Sequence, residues 1–446
     1  MRVGRRIRPR DDVGMTLVEL MAALLIFAIV STGIIYTMLS VLQVTRDTRA
    51  RQVAANLAAE EIDLTRDTAD LFALVDADRD VTINGDTFHV HRDTQWVSDP
   101  GLDFTCGGTS GGTGAPLRYK RVNITVTWDN MRPGTEPVRS DTVIDPDERI
   151  NDPAKGTILV SVLDATGLGV SGVTVSASPS PGSAVQPTDA QGCTYILKVA
   201  PATYTVTASS AGYRSGDQAT SASQTVSVVA GQSVSVGFLY ARAGTFTANL
   251  AAGYTPPPGV TLRIPTDLQT TFWNTYGLYP QTPSAGGGTR TQTFPLHPYP
   301  SGYQAFAGVC DLADPGLWPE EPAPGGTLRG VRVDPAAALP GGTATIDVPM
   351  GIVTIAGGGS GQYLRAVSTD AGCTATYKFG AVLSAAPTTI ALPYGTWQLQ
   401  RASSATGTWA NVPASALSVP TPAVPTATAI APTGTVTFDP RVVTTP

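Results

Sequence analysis

Lysine and histidine are scarce in this chain: Lys120, Lys155, Lys198 and Lys378 are the only lysines, and His89, His91 and His297 the only histidines. Charged residues make up 14% of the sequence and the net charge is −6. The basic residues do not cluster beyond the N-terminus, so a nucleic-acid-binding body is not expected. No CxxC pair occurs, which removes the zinc-ribbon and thioredoxin-like readings. No G-x-S-x-G elbow is present, and three scattered histidines support no Ser-His-Asp arrangement. The Gly-rich runs "GGTSGGTG" (107–114) and "GGGSG" (357–361) lack a following Lys-Ser/Thr, so they read as loops and not as phosphate cradles. Catalytic chemistry lacks its parts, and the chain is not expected to be an enzyme or to carry a cofactor.

Turn formers are abundant. With 46 Gly and 36 Pro among 446 residues, a mostly helical body is excluded, and the length suggests roughly three domains. Proline is nevertheless missing between Val13 and Asp99, where "VGMTLVELMAALLIFAIVSTGIIYTML" (13–39) carries one charge, Glu19. From Leu20 to Thr45 nothing is charged, and about 20 apolar residues suffice to span a bilayer as a helix. Arg2, Arg5, Arg6, Arg8 and Arg10 precede the run, which keeps the leader cytoplasmic by the positive-inside rule. The run is longer than a secretory h-region and no A-x-A-like cleavage site follows it. A carboxylate at the centre of a membrane helix costs about 2.5–3.5 kcal/mol. Near the helix N-terminus the macrodipole lowers that cost, and the residue still needs a functional partner.

"VGMTLVEL" resembles the processing site of type IV prepilins and type II secretion pseudopilins. The resemblance implies a leader of residues 1–14 ending at Gly14, cleavage before Met15, N-methylation of Met15, Thr16 as second mature residue and Glu19 as the acid. Cleavage would create a cationic amine that Glu19 of a neighbouring subunit can pair with, setting register as well as adhesion. The implied partners are other pilin subunits in a fibre, the prepilin peptidase/methylase, and the membrane before assembly. Many pilins carry a kinking Pro in this helix, and this chain has none.

The transmembrane part, about 15–42, is expected to continue into water. "QVAANLAAEEIDLTRD" puts Val53, Ala54, Leu57, Ala58 and Ile62 on one stripe, predicting a helix from Met15 to about Asp67. The stripe needs a sheet, and the alternating segments "DTFHVHRDTQWV", "YKRVNITVTW" and "SDTVIDP" supply it. Residues 15–150 therefore read as helix plus antiparallel sheet, the pilin head arrangement. A polar linker, 145–155, leads to "GTILVSVLDATGLGVSGVTVSAS", "TDAQGCTYILKVAPATYTVTASSAGYRSGD" and "QTVSVVAGQSVSVGFLY". These short alternating strands predict a sandwich over 156–242. Their order resembles carboxypeptidase-regulatory and collagen-adhesin B-repeat sandwiches. Where some of those form a Lys–Asn isopeptide bond, the first strand here offers Ser161, so none is expected. Residues 243–349 read as a third sandwich with loop insertions, or as a composite with the C-terminal β-module at 350–446. The fold class is thus an α+β pilin-like N-terminal domain followed by all-β Ig/prealbumin-like sandwich modules.

The four cysteines, an even number in an exported chain, predict two disulfides. Three pairings are open, and Cys310–Cys373 with Cys106–Cys193 is the one expected. His89 and His91 share a strand face without a third ligand, so they read as surface histidines and no metal site is expected. His297 reads as a loop residue. "DADRD" (76–80) lacks the Gly and the Glu of a calcium loop, and reads as an acidic turn between helix and sheet. Tyr299, Tyr303, Phe306, Trp318, Tyr394 and Trp397 could line a binding surface, but core packing is the expected reading.

The function expected is a minor pilin or pseudopilin, single-pass in the cytoplasmic membrane with the body outside. After assembly it would stand at the cell surface at low copy or at the tip, its modules available to a protein or glycan ligand. The alternative is a membrane-anchored surface-binding protein that never polymerises.

Overall fold

The computed structural model describes residues 17–68, 71, 74–98, 103–104, 117–145, 152–182 and 184–445. The chain divides into two compact units, Met1–Phe104 with Leu117–Asp147, and Thr105–Pro116 with Glu148–Pro446. One long helix is followed by antiparallel sheets and then by sandwich-like β-modules, which is the expected fold class.

The first unit is built on α1 (Leu17–Arg66), 50 residues and therefore about 75 Å long. No proline interrupts it, and its second half is rich in Ala, Leu, Glu, Gln and Arg, all good helix formers. Ala50, Ala54, Leu57, Ala58, Glu61, Ile62 and Thr65 are buried, which is the spacing of one helical face. They lie on a sheet ordered β1 (Ala77–Ile83), β2 (Asp86–Ser98), β4 (Leu117–Trp128), β5 (Val138–Ile144), with β3 (Asp103–Phe104) paired to β2. All of its ladders are antiparallel. Strand alternation sends Phe88, Val90, Val122, Ile124, Val126 and Trp128 to the helix side. Three alanines on the helix let the backbones approach closely.

The one acid on this buried face is satisfied. Glu61 takes Arg92 Nη1 on one oxygen at 2.9 Å and Arg79 Nη2 on the other at 3.2 Å. Arg92 also donates through Nε to Val75 O at 3.0 Å. Burying a charge is tolerated when it is both paired and hydrogen-bonded, and this group ties α1 to β1 and β2.

The second unit opens with a seven-stranded sandwich over 156–242. Its strands are β6 (Gly156–Leu163), β7 (Thr174–Ser178), β8 (Cys193–Val199), β9 (Ala202–Ser209), β10 (Tyr213–Ser215), β11 (Ser221–Val228) and β12 (Ser233–Arg242). One sheet runs β10-β12-β6-β8 and the other β11-β9-β7. β6 is buried along nearly its whole length and pairs parallel with β12, so the module's first and last strands close it. The next strand, Gly244–Leu250, begins two positions after Arg242. It likewise pairs parallel with Thr343–Val348, near the end of the segment expected as 243–349.

That segment and 350–446 share sheets as well as a core. Leu262–Arg263 adds in parallel to Thr388–Leu392, and Val442–Thr444 returns to pair with Gly326–Arg329. One cluster of buried side chains runs from Phe246 to Phe438. Strands of each half cover apolar faces of the other.

Glu61→Ala should destabilise the first unit by about 3 kcal/mol, since it leaves the largely buried Arg92 without its anion. Urea unfolding of the detergent-solubilised chain, followed through the Trp96 and Trp128 fluorescence region, measures it; an unchanged midpoint would show the ion group to be idle.

Candidate functional site

The first candidate is the N-terminal half of α1. From Leu17 to Val44 large apolar side chains point outward all around the helix, with Leu17 74%, Phe27 69% and Tyr36 75% exposed. A helix apolar on every side belongs in lipid or among other apolar helices, and this one is long and apolar enough to cross a membrane. Three of its hydroxyls are satisfied within the helix. Thr32, Thr37 and Thr45 each donate to the carbonyl four residues back at 2.7, 2.7 and 2.8 Å, which removes the cost of taking them out of water. The uncharged stretch ends where Arg46, Asp47, Arg49 and Arg51 appear, and Arg46 pairs with Asp86 at the β1–β2 turn. Glu19 stands in the first turn of α1, exposed, where the dipole favours an anion. Gly14, Met15 and Thr16 lie outside the described residues.

The second candidate is the histidine pair on β2. His89 faces Asp80 and His91 faces Asp78 as direct cross-strand partners, each with a carboxylate oxygen 2.7 Å from Nδ1. Asp129 lies 3.3 Å from His89 Nε2. "DADRD" is therefore not a turn: Ala77 to Asp80 begin the edge strand β1, and Asp76 caps it by accepting from Thr94 N at 2.7 Å. Hydrogen bonding to Asp80 and then to Asp129 raises the His89 pKa. Both rings are exposed, and among the described residues no group of three or more His, Cys, Asp or Glu is arranged to hold a metal.

The aromatic residues are mostly core. Tyr299, Tyr303, Phe306, Tyr394 and Trp397 are buried, and Trp318 is half-buried. Tyr303 sits edge-on to Phe246, Phe272, Tyr279 and Tyr299. Cys310 and Cys373 are joined, with Cα atoms 5.5 Å apart, linking the two halves of the C-terminal body. Cys193 is disulfide-bonded; Cys106, its expected partner, lies outside the described residues.

Sequence reasoning missed one site. The β10–β11 loop plugs into the aromatic cluster through Gln218, whose Nε2 donates to Tyr303 Oη at 2.8 Å and whose Oε1 accepts from His297 N at 2.7 Å. Tyr303 Oη donates in turn to His297 O at 2.7 Å, and Tyr299 Oη to Gly216 O at 3.0 Å. His297 is a loop residue, as expected, but fully buried in this joint, and its Nδ1–H donates to Arg214 O at 3.0 Å. Desolvation holds its pKa below the ordinary imidazole value. No periodic pattern marks Gln218, which has φ +70° in an irregular loop, so no sequence signal pointed to it. The joint and the short link at Ala243 hold the first sandwich against the rest of the unit.

No protein-family model matches the chain, and no curated protein matches it. Among solved structures it is similar to the Bacillus anthracis TIE protein (11% identity, 76% of this chain and 70% of that one, TM-score 0.20). It is also similar to a streptococcal ancillary pilin (9%, 52% and 76%, TM-score 0.21) and to the major pilin subunit of Bacillus cereus (13%, 58% and 92%, TM-score 0.16). Overlap this low carries no argument about fold or function.

The joint makes a pH prediction. A folded pKa depressed below the unfolded value of about 6.5 means that only the unfolded chain gains the proton at first. Stability contributed at His297 is complete above about pH 6.5 and falls as pH drops toward the folded pKa. His297→Asn, which keeps a donor for Arg214 O, should flatten the decline in melting temperature between pH 7 and pH 5. An identical decline in the variant would clear His297 of the effect.

Proposed function

We propose that the chain is a minor subunit of a type IV pilus-like or type II secretion pseudopilus-like fibre. It would be made as a prepilin, cut after Gly14 and methylated at Met15 by the prepilin peptidase. Before assembly its helix would anchor it in the cytoplasmic membrane, with both β-bearing units outside; in the fibre it would stand at the cell surface. Its role in this reading is structural and adhesive, with no catalysis. One observation carries the reading: α1 has two faces of different kinds along one continuous helix, apolar on every side before Arg46 and sheet-covered after it. A signal anchor needs the first half alone. A subunit packed by its helix into a fibre needs both, together with an acid in the first turn, which Glu19 provides.

The modules support a low-copy position. A second unit of this bulk on every subunit would crowd a uniform fibre, so we place the chain at the tip or sparsely along the shaft. A charged amine and a charged carboxylate are each costly in apolar surroundings, and an ion pair between subunits would lower both costs together.

Mass spectrometry of the mature N-terminus tests the processing. N-methylated Met15 is the expected terminus, and an intact leader would leave only the non-polymerising membrane anchor. Glu19→Ala should cut recovery of the chain in sheared fibres about tenfold or more while its membrane level stays unchanged. Equal recovery of the variant would remove the electrostatic basis of the assignment.

A further inference from the structure

In the second unit, an open cleft of roughly 820 Å³ lies between the loop after Gly244–Leu250, the strands Leu262–Arg263 and Thr388–Leu392, and the proline-rich segment near Thr421. That volume suits a ligand of several rings. In a chain of net charge −6, its lining holds one cation, Arg263, and no carboxylate. The Arg263 guanidinium is exposed and makes no ion pair or hydrogen bond among the described residues, although its backbone is held in parallel register opposite Ile390. The hydroxyls of Tyr254, Thr255, Thr261 and Thr421 line the same cleft and make no hydrogen bonds among the described residues. The floor is already ordered, with the Thr354 and Thr389 hydroxyls 3.0 Å apart.

We propose that this cleft binds a saccharide chain bearing carboxylate groups. An apolar ligand would strand the four hydroxyls, each of which would lose its water without gaining a partner. A small inorganic anion would use Arg263 and leave most of the cleft empty. A sugar chain answers both, because its hydroxyls donate to and accept from the threonines while a carboxylate takes the guanidinium fork. The Tyr254 side chain offers a ring for a sugar face to lie against. Arg263 stands on an edge strand laddered to Thr388–Leu392, which fixes its backbone at the rim of the cleft. The proposal stands apart from assembly into a fibre, since it concerns the unassembled chain as well.

Isothermal titration calorimetry on the full, detergent-solubilised chain tests it with a galacturonate hexasaccharide and a neutral galactose hexasaccharide. The charged sugar should bind at least tenfold more tightly than the neutral one, the ratio expected from one charge-assisted hydrogen-bonded pair. Arg263→Gln, at an exposed position, should abolish that preference without moving the melting temperature. Thr421→Val, in the proline-rich segment of the lining, should weaken both sugars by a similar factor. No binding of either sugar, equal affinity for both, or a preference that survives Arg263→Gln would overturn the proposal.

Discussion

A helix satisfies its own backbone hydrogen bonds, so it can pass from lipid into water without changing its conformation; what must change is the side-chain surface around it. α1 makes that change within a few residues, from Val44 to Ala50. Before it, the hydroxyls of Thr32, Thr37 and Thr45 fold back on the helix carbonyls. After it, small alanines bring the sheet close, and a single buried acid, Glu61, is held by two arginines from the strands beneath. The absence of proline keeps the two halves on one axis. The first unit depends on this continuity, because among the described residues no other helix covers its sheet.

The second unit solves a different problem, that of keeping several small β-modules from hinging freely. Closure of 156–242 and of 244–348 by parallel pairing of first and last strands gives each its own sheet edges. The contacts between them then remove the freedom. Gln218 reaches from one module into the aromatic cluster of the next, and a disulfide, a shared core and the returning strand Val442–Thr444 bind the remainder.

Buried ionisable groups mark where these contacts matter. Arg332 holds Asp314, almost fully buried, through both carboxylate oxygens at 2.7 and 2.8 Å, and its guanidinium lies over the Trp273 ring. Lys120 is buried, bonded to the carbonyls of Leu71 and Leu74 and lying over Trp96. In each case a long cationic side chain crosses from one element to the next and lays its stem on apolar surface.

Periodicity in the sequence determined α1, its buried stripe at Ala54, Leu57, Ala58 and Ile62, and the strands of the first sheet and first sandwich. These follow from local spacing of apolar residues, which a chain read in order displays directly. The pairing of His89 with Asp80 was not legible, since "DADRD" reads as a turn until strand register sets it opposite β2. Nor could spacing select Cys310–Cys373, assign His297 to a buried joint, or show that 350–446 shares its core with the segment before it. Each of those depends on residues tens of positions apart meeting on one surface. Only the packed chain decides such meetings, because they are set by which apolar faces cover one another and not by any repeat along the strand.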